Sequence, residues 1–359
     1  MIRILHSVSN MDRGGIETML MNYYRHVDRT KVQFDFLVHR DFRADFDDEI
    51  EALGGHIYRI PPMNPLSGNY RKALEDFFRT HSYGVVHCHL NYMSGVVLAA
   101  AKKAGVPVRV AHAHTASMAP GWKQAARRLY KYLIPATATQ LFACSTEAGR
   151  AIFGGKDFAI FPNAIDATRF CPNDAIRAKV RAELELGEAL TLMHVGRMIY
   201  AKNHGFLLDV FREVLEKEPS AKLVLVGDGE LRQEIETKAE DLPKGSVLFI
   251  GTRTDIPELL QAADVFAFPS VFEGLPVTMI EAQAAGLPCV KSDTITDECI
   301  VTDLVKVLPI DDPKTWAEAI LSMKDTPRTD RLTELQASGY DIIAAVEKLT
   351  HFYLDGEFV

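Results

Sequence analysis

The segment Val265-Phe266-Ala267-Phe268-Pro269-Ser270-Val271-Phe272-Glu273-Gly274-Leu275-Pro276-Val277-Thr278-Met279-Ile280-Glu281 reads as a strand, a loop and a helix in succession. Val265–Phe268 is an uninterrupted apolar run of strand length, and Pro269 ends it. Pro276 suits a first helical position, where its missing N–H would have had no intrahelical partner. A strand that is apolar throughout, followed by a helix, is the repeating half of a parallel sheet covered on both faces. The loop and helix carry two carboxylates eight positions apart, Glu273 on the loop and Glu281 two turns beyond it.

Outward from this segment the same alternation fills the chain. In the second half, strand-length apolar runs fall at 190–195, 223–226, 247–250 and 289–291, with helical patterns between them. The first half shows them at 3–8, 34–39, 56–60, 85–89, 108–112 and 141–144. Between the halves stand Phe161-Pro162-Asn163-Ala164-Ile165-Asp166 and the turn-and-cap sequence Cys171-Pro172-Asn173-Asp174, which together break the alternation. We therefore expect two α/β domains, 1–168 and 169–339, in keeping with 359 residues, more than one core usually supports. No period of 20–50 residues recurs, which excludes a solenoid. From about 340 to 359, Ile342, Ile343, Val346, Leu349 and Tyr353 lie at helical spacing and predict one buried face.

Composition excludes several classes. Hydrophobic residues make up 47% and charged residues 25% of the chain, as in ordinary globular proteins. No stretch nears the roughly 18 apolar residues of a membrane span. The N-terminus enters a first strand at once and shows no apolar signal region, which points to a cytoplasmic location. Five cysteines (Cys88, Cys144, Cys171, Cys289 and Cys299) without C-x-x-C spacing indicate neither a disulfide framework nor a zinc site. Residues 1–170 hold 21 Lys and Arg against 15 Asp and Glu, whereas the remainder holds 19 against 33. The basic balance suits an anionic partner for the first half, and equally a merely solvated surface.

Chemistry concentrates where strands give way to helices. Gly196-Arg197, followed by Lys202-Asn203, stands at such a point, the carboxyl edge where parallel sheets bind ligands, and two cations there suit a diphosphate. At the other helix start, free amides near Leu275 and Val277, backed by the helix dipole, suit a phosphate. Glu281 has the position to accept ribose hydroxyls, and Glu273 the position to reach a sugar. Gly14-Gly15 follows the first strand and permits close approach of the backbone to a ligand. His87, His89, His112 and His114 cluster near strand ends, and alternation puts His112 and His114 on one face without choosing between them. The only notable D-x-D, Asp45-Phe46-Asp47, lies in an acidic run that reads as a solvated helix start, so Arg197, Lys202 and the helix dipole are left to take the place of a metal.

Gly14-Gly15, His114, Gly196-Arg197 with Lys202-Asn203, and the Glu273-Gly274-Leu275-Pro276 block ending at Glu281 resemble the retaining family 4 glycosyltransferases of GT-B fold, especially bacterial enzymes of capsular or exopolysaccharide assembly. The resemblance covers essentially the whole chain, with Ala164 where relatives have glycine. It implies two Rossmann-like domains facing across a cleft, the C-terminal helix crossing back to the N-terminal domain. It implies a nucleotide-sugar donor, UDP-linked, no metal or other cofactor, no nucleic acid, and a glycan or lipid-linked acceptor. Arg197 and Lys202 would hold the diphosphate and Glu281 the ribose, while Glu273, Gly274, Leu275, Pro276 and Val277 would hold the donor sugar and phosphate. Gly251-Thr252-Arg253 would lie by the base, with Gly14 and Gly15 over the donor, and the resemblance favours His114 over His112 near sugar and acceptor.

Three other readings compete. A nucleotide-sugar epimerase would use the same donor without an acceptor. An NAD-dependent oxidoreductase is suggested by Val226-Gly227-Asp228-Gly229, but Arg232 stands where the third fingerprint glycine belongs. A silent scaffold subunit would have no reason to keep Arg197, Lys202, Glu273 and Glu281 together. Residues 122–133, with Lys123, Arg127, Arg128 and Lys131 among aromatic and aliphatic residues, read either as a basic amphipathic helix in peripheral contact with an anionic membrane or as an ordinary half-buried helix.

Overall fold

Seven strands form the first sheet, the central ones buried along most of their length and the outer ones part-exposed. They are β1 (Ile2–Val8), β2 (Val32–Val38), β3 (Ile57–Arg59), β4 (Val85–Cys88), β5 (Val108–Ala113), β6 (Gln140–Ala143) and β7 (Ala159–Ile160). Their order is β3-β2-β1-β4-β5-β6-β7, every pair parallel. The second sheet contains β8 (Thr191–Val195), β9 (Lys222–Val226), β10 (Val247–Gly251), β11 (Val265–Phe268), β12 (Cys289–Ser292) and β13 (Val305–Leu308). It runs β10-β9-β8-β11-β12-β13, again all parallel. In each sheet the order reverses beside the first strand, as in doubly wound folds. β13 was not expected from the sequence. It is a half-exposed edge strand whose Lys306 interrupts the apolar run, a common protection of an open edge.

This computed structural model describes residues 1–115 and 129–356. It divides into one unit of Met1–Ile165 with Asp341–Val359 and another of Asp166–Tyr340. Lys123, Arg127 and Arg128, and with them most of the expected basic helix, lie outside the described residues. No described helix is long and apolar enough to cross a membrane. All five cysteines are free and four are buried.

The helix Ile342–Asp355 belongs to the first unit, where Ile342, Val346, Leu349, Phe352 and Tyr353 join the core around Phe34, Phe36 and Phe142. Ile343, expected on the buried face, is 54% exposed because the apolar stripe continues through Ala345 and Phe352 instead. Trp316 anchors the second core, fully buried and donating its indole N–H to the Pro309 carbonyl at 2.7 Å. Ala164 has no positive φ, so the alanine is unstrained where relatives carry glycine. The Asp45-Phe46-Asp47 segment is not a purely solvated face, since Asp47 is buried, pairs with Arg59 and caps the Ala44 amide.

At the amino ends of β1, β4 and β5 lies a cavity of about 670 Å³ lined by Arg3, Asp35, His56, Tyr58, His81 and Tyr83, among others. It is at the opposite end of the strands from the edge where such sheets bind ligands. Asp35, fully buried on β2, accepts from Arg3 Nε at 2.7 Å, the His56 amide at 2.8 Å and the Tyr83 hydroxyl at 2.9 Å. Burial pushes its carboxyl up, but these donors outweigh burial and hold it below the usual aspartate range. A depressed folded value means stability that is present above the unfolded pKa and lost as the pH falls through the folded one. Asp35→Asn should therefore cost about 2–3 kcal/mol near neutral pH, the scale of hydrogen bonds to a charge. In urea unfolding followed by circular dichroism, the gap from the unsubstituted protein should hold above about pH 4 and close below it.

Candidate functional site

In the second unit the strand order reverses between β8 and β11, and the loops leaving their carboxyl ends carry the residues picked out in the sequence. The β8 loop turns through Gly196 and Arg197 into a short helix Tyr200–Lys202. Asn203, at φ 54°, takes the left-handed conformation that asparagine tolerates and starts the helix His204–Leu215. Lys202 Nζ then lies 2.8 Å from Glu273 Oε1 of the β11 loop, and 4.4 Å from the centroid of the Phe268 ring. Their side chains are only 14% and 17% exposed. A backbone hydrogen bond from Val271 to Ala201 at 2.8 Å ties the same two loops together.

Arg197 is exposed, and its side chain has no hydrogen-bond or ion-pair partner among the described residues. The helix Val277–Ala284 begins after Pro276, which occupies the cap position instead of the first helical position expected. No side chain caps this end, and the amides of Leu275, Val277 and Thr278 find no partner among the described residues. Unpaired N–H groups at a helix start favour an anion. Glu281, half-buried, is pushed up to about 7 by burial, against the opposing charge of Arg169. Arg253, at the end of edge strand β10, is already engaged by Asp255 at 2.5 Å and Glu183 at 3.1 Å.

The glycines of this region serve close packing. A Cβ on Gly196 would sit 2.8 Å from Lys202 Cε, one on Gly227 2.2 Å from the Gly196 carbonyl, and one on Gly229 2.4 Å from the Met198 carbonyl. Val226-Gly227-Asp228-Gly229 therefore serves to let the β9 loop touch the β8 loop, which accounts for its glycines without a dinucleotide. Sequence reasoning missed Lys291, which is fully buried with Nζ at 2.8 Å from Asp297 and 2.9 Å from the Ile295 carbonyl. It steadies the segment whose Ser292 and Thr294 hydroxyls donate to Ser270 at 2.5 and 2.9 Å, holding the loop that carries Glu273. A lysine inside an apolar run was the available signal.

In the first unit, Gly14 caps the helix Gly15–His26. Its missing side chain leaves room for Glu17, whose Oε2 would stand 2.3 Å from a Cβ at 14, whereas a Cβ at Gly15 would meet nothing within 4 Å. Glu17, also missed, is pushed up to about 7 by burial. At the carboxyl ends of β1, β4 and β5 five histidines converge. His114 Nε2 lies 2.9 Å from His89 Nδ1, and His89 Nε2 lies 3.0 Å from His6 Nδ1. His112 Nδ1 lies 3.1 Å from His87 Nε2, whose other nitrogen is 2.7 Å from the Tyr353 hydroxyl. Burial lowers all five, His6 and His114 to about 3, so each ring is neutral. His112 is fully buried, and His114, just beyond β5, is the half-exposed member. Two triads, His6 with His87 and His89, and His89 with His112 and His114, bring nitrogens within 4.8 Å of one another. The hydrogen bonds between these rings occupy lone pairs that a metal would need. His6 went unremarked because its partners come from strands far apart in sequence.

Paired doubly wound sheets, with cations, unpaired amides and carboxylates at a strand-order reversal, define the two-unit α/β architecture of GT-B glycosyltransferases. Residues 14–158 match the glycosyl transferase 4-like domain, and residues 189–325 match the glycosyl transferases group 1 family. The chain is 40% identical over 371 aligned positions to the glycosyltransferase-family protein EpsF of Bacillus subtilis (strain 168), covering 98% of this chain and 96% of that one. It is 27% identical to the UDP-Gal:alpha-D-GlcNAc-diphosphoundecaprenol alpha-1,3-galactosyltransferase of Escherichia coli, over 86% of this chain and 85% of the other. Its fold superposes on Anabaena HepE in complex with UDP and glucose with a TM-score of 0.82 at 19% identity, spanning 99% and 100% of the two chains. The chain belongs to the group 1 glycosyltransferases, with a 4-like domain in its N-terminal half.

Burial of Glu281 has a cost that the variant Glu281→Gln should remove. A carboxyl raised in the folded state contributes stability below its unfolded pKa, and loses it as the pH rises through the folded value. In thermal or urea unfolding, Glu281→Gln should be more stable than the unsubstituted protein by on the order of 2 kcal/mol at pH 8. The difference should shrink through pH 7 and vanish below about pH 4.5.

Proposed function

We propose that this chain is a retaining, metal-independent glycosyltransferase that moves a sugar from a UDP-linked donor to a glycan or lipid-linked acceptor in surface polysaccharide assembly. The observation that carries the reading is the meeting of Arg197, Lys202, Glu273 and unpaired helix-start amides at the strand-order reversal of the second unit. Departure of a nucleoside diphosphate builds negative charge on the β-phosphate, and fixed cations and N–H dipoles stabilise it without reorganising. Arg197, exposed and unpaired, is free to receive a phosphate. Lys202 reaches one by exchanging Glu273 for it, which frees Glu273 for sugar hydroxyls. Glu281 holds the ribose, Gly14 and Gly15 let the first unit's backbone approach the donor, and His114 serves the sugar and its acceptor.

Support for a uridine nucleotide and a lipid-linked acceptor comes from relatives, the Escherichia coli enzyme being named for both and HepE being solved with UDP. The cations supply what a divalent ion supplies elsewhere, so EDTA should leave turnover unchanged. A thermal-shift panel of UDP, GDP, ADP and CMP should single out UDP, because a ligand bound only by the folded state raises its stability. Arg197→Ala and Lys202→Ala should each lower kcat/KM about 100-fold or more, and Glu281→Ala should abolish the UDP shift. Sugar release that does not depend on an acceptor would favour the epimerase, and no nucleotide binding at all would favour the scaffold.

A further inference from the structure

Lys202 and Glu273 have no ion-pair partner among the described residues except each other. At 2.8 Å their charges touch, yet Glu273 Oε1 lies off the direction of a hydrogen bond and accepts none from any described residue. The attraction is Coulombic and lacks the directed bond that would lock it. The other neighbours of the ammonium are neutral. One is the Phe268 ring, whose centroid lies 4.4 Å away. The others are the buried rings of His194 and His204, whose protonation burial opposes first and the charge of Lys202 opposes further.

Two side chains held at 14% and 17% exposure have lost most of their hydration, so each charge is costly without a counter-group. A phosphate that takes Lys202 from Glu273 strands the carboxylate beside a new negative charge. Hydroxyl donors relieve it, and a sugar joined to the β-phosphate brings such donors to the same place. An intact nucleotide sugar therefore satisfies both members of the pair. A free nucleoside diphosphate satisfies only the lysine, and it leaves a mostly buried carboxylate unpaired and repelled.

We propose that the Lys202–Glu273 pair discriminates the intact nucleotide sugar from the free nucleoside diphosphate, so that loss of the sugar lets Glu273 retake Lys202 and helps expel the spent nucleotide. The inference rests on the roles given to Lys202 and Glu273 in the proposed function, and adds that Glu273 opposes the product. Both residues belong to the second unit.

The test is isothermal titration of UDP, or of GDP or ADP should the thermal panel select it, into the full-length protein and three variants. These are Glu273→Gln, Lys202→Met and the double variant. Glu273→Gln keeps the shape of the side chain and removes its charge. The diphosphate should bind this variant about tenfold more tightly than the unsubstituted protein, the scale of a charge pair between surface and full burial. In the Lys202→Met background the same substitution should change affinity by less than about threefold. Unchanged or weaker binding by Glu273→Gln would overturn the proposal. So would an equal gain with and without Lys202, which marks simple repulsion of the nucleotide by Glu273.

Glu273→Asp covers the case of a Glu273→Gln protein that does not fold. It keeps the charge and withdraws it from Lys202 by one methylene, so the diphosphate should bind about threefold more tightly, and no gain would again overturn the proposal. The glucose, galactose and N-acetylglucosamine esters of the same nucleotide supply the second arm. At least one of them should gain less than about threefold on Glu273→Gln, because its hydroxyls already compensate the carboxylate. The same gain for all three as for the free diphosphate would remove the discrimination. A protein that binds no nucleotide defeats the glycosyltransferase reading and this inference with it, whereas diphosphate binding without the Glu273→Gln gain defeats this inference alone.

Discussion

The Lys202–Glu273 ion pair links the two loops that leave the second sheet where its strand order reverses, and the rest of the site is arranged around keeping that link possible. Gly196 leaves the space that the lysine stem occupies, and Asn203 bends the chain so that Lys202 faces inward. Gly227 and Gly229 let the neighbouring loop close against the backbone of 196–198. On the other side, Lys291, Ser292 and Thr294 hold the carbonyl of Ser270, so Glu273 stands on a braced loop. The two side chains of the pair are only 14% and 17% exposed. Breaking such a pair leaves an uncompensated charge unless another group replaces the partner, and in the proposed function that group is the donor's phosphate.

Most of the fold was legible because both sheets are parallel and buried on two faces. Continuous apolar runs such as 265–268 announce themselves, and the matching strand, Val265–Phe268, was bounded correctly. β13 escaped because an edge strand needs only one covered face, and Lys306 removes the apolar continuity that a central strand shows. Ile343 misled for a related reason, since helical spacing alone does not distinguish a core position from its neighbour when Ala345 fills the place. Asp47 was taken for a solvated acid because its partner, Arg59, is twelve positions away on another element.

The candidate site was legible in its parts and not in its connections. Arg197, Lys202, Glu273 and Glu281 could be found because each lies at a strand end or helix start. Nothing local indicates that Lys202 would pair with Glu273, or that Arg253 would be spent on Asp255 and Glu183. The histidines illustrate the same limit. His87, His89, His112 and His114 are visible as a cluster along the chain, but His6 enters only when β1 is paired with β4, which places His6 opposite His87. Lys291 and Glu17 are products of burial, and a sequence records burial only through the pattern of neighbours.

The contrast between the two units has an electrostatic logic. On the proposed reaction, the departing diphosphate gathers negative charge while the sugar becomes oxocarbenium-like, so one end of the breaking bond calls for cations and the other must avoid them. The second unit provides the cations at its strand-order reversal. In the first unit the corresponding strand ends carry histidines, residues that titrate near neutrality when exposed. Burying five of them together prevents this, because desolvation and mutual repulsion both oppose protonation. The same burial removes water from the rings, so that each shares at least one nitrogen with a neighbouring ring. The hydrogen bonds that link these rings are thus a consequence of their common burial.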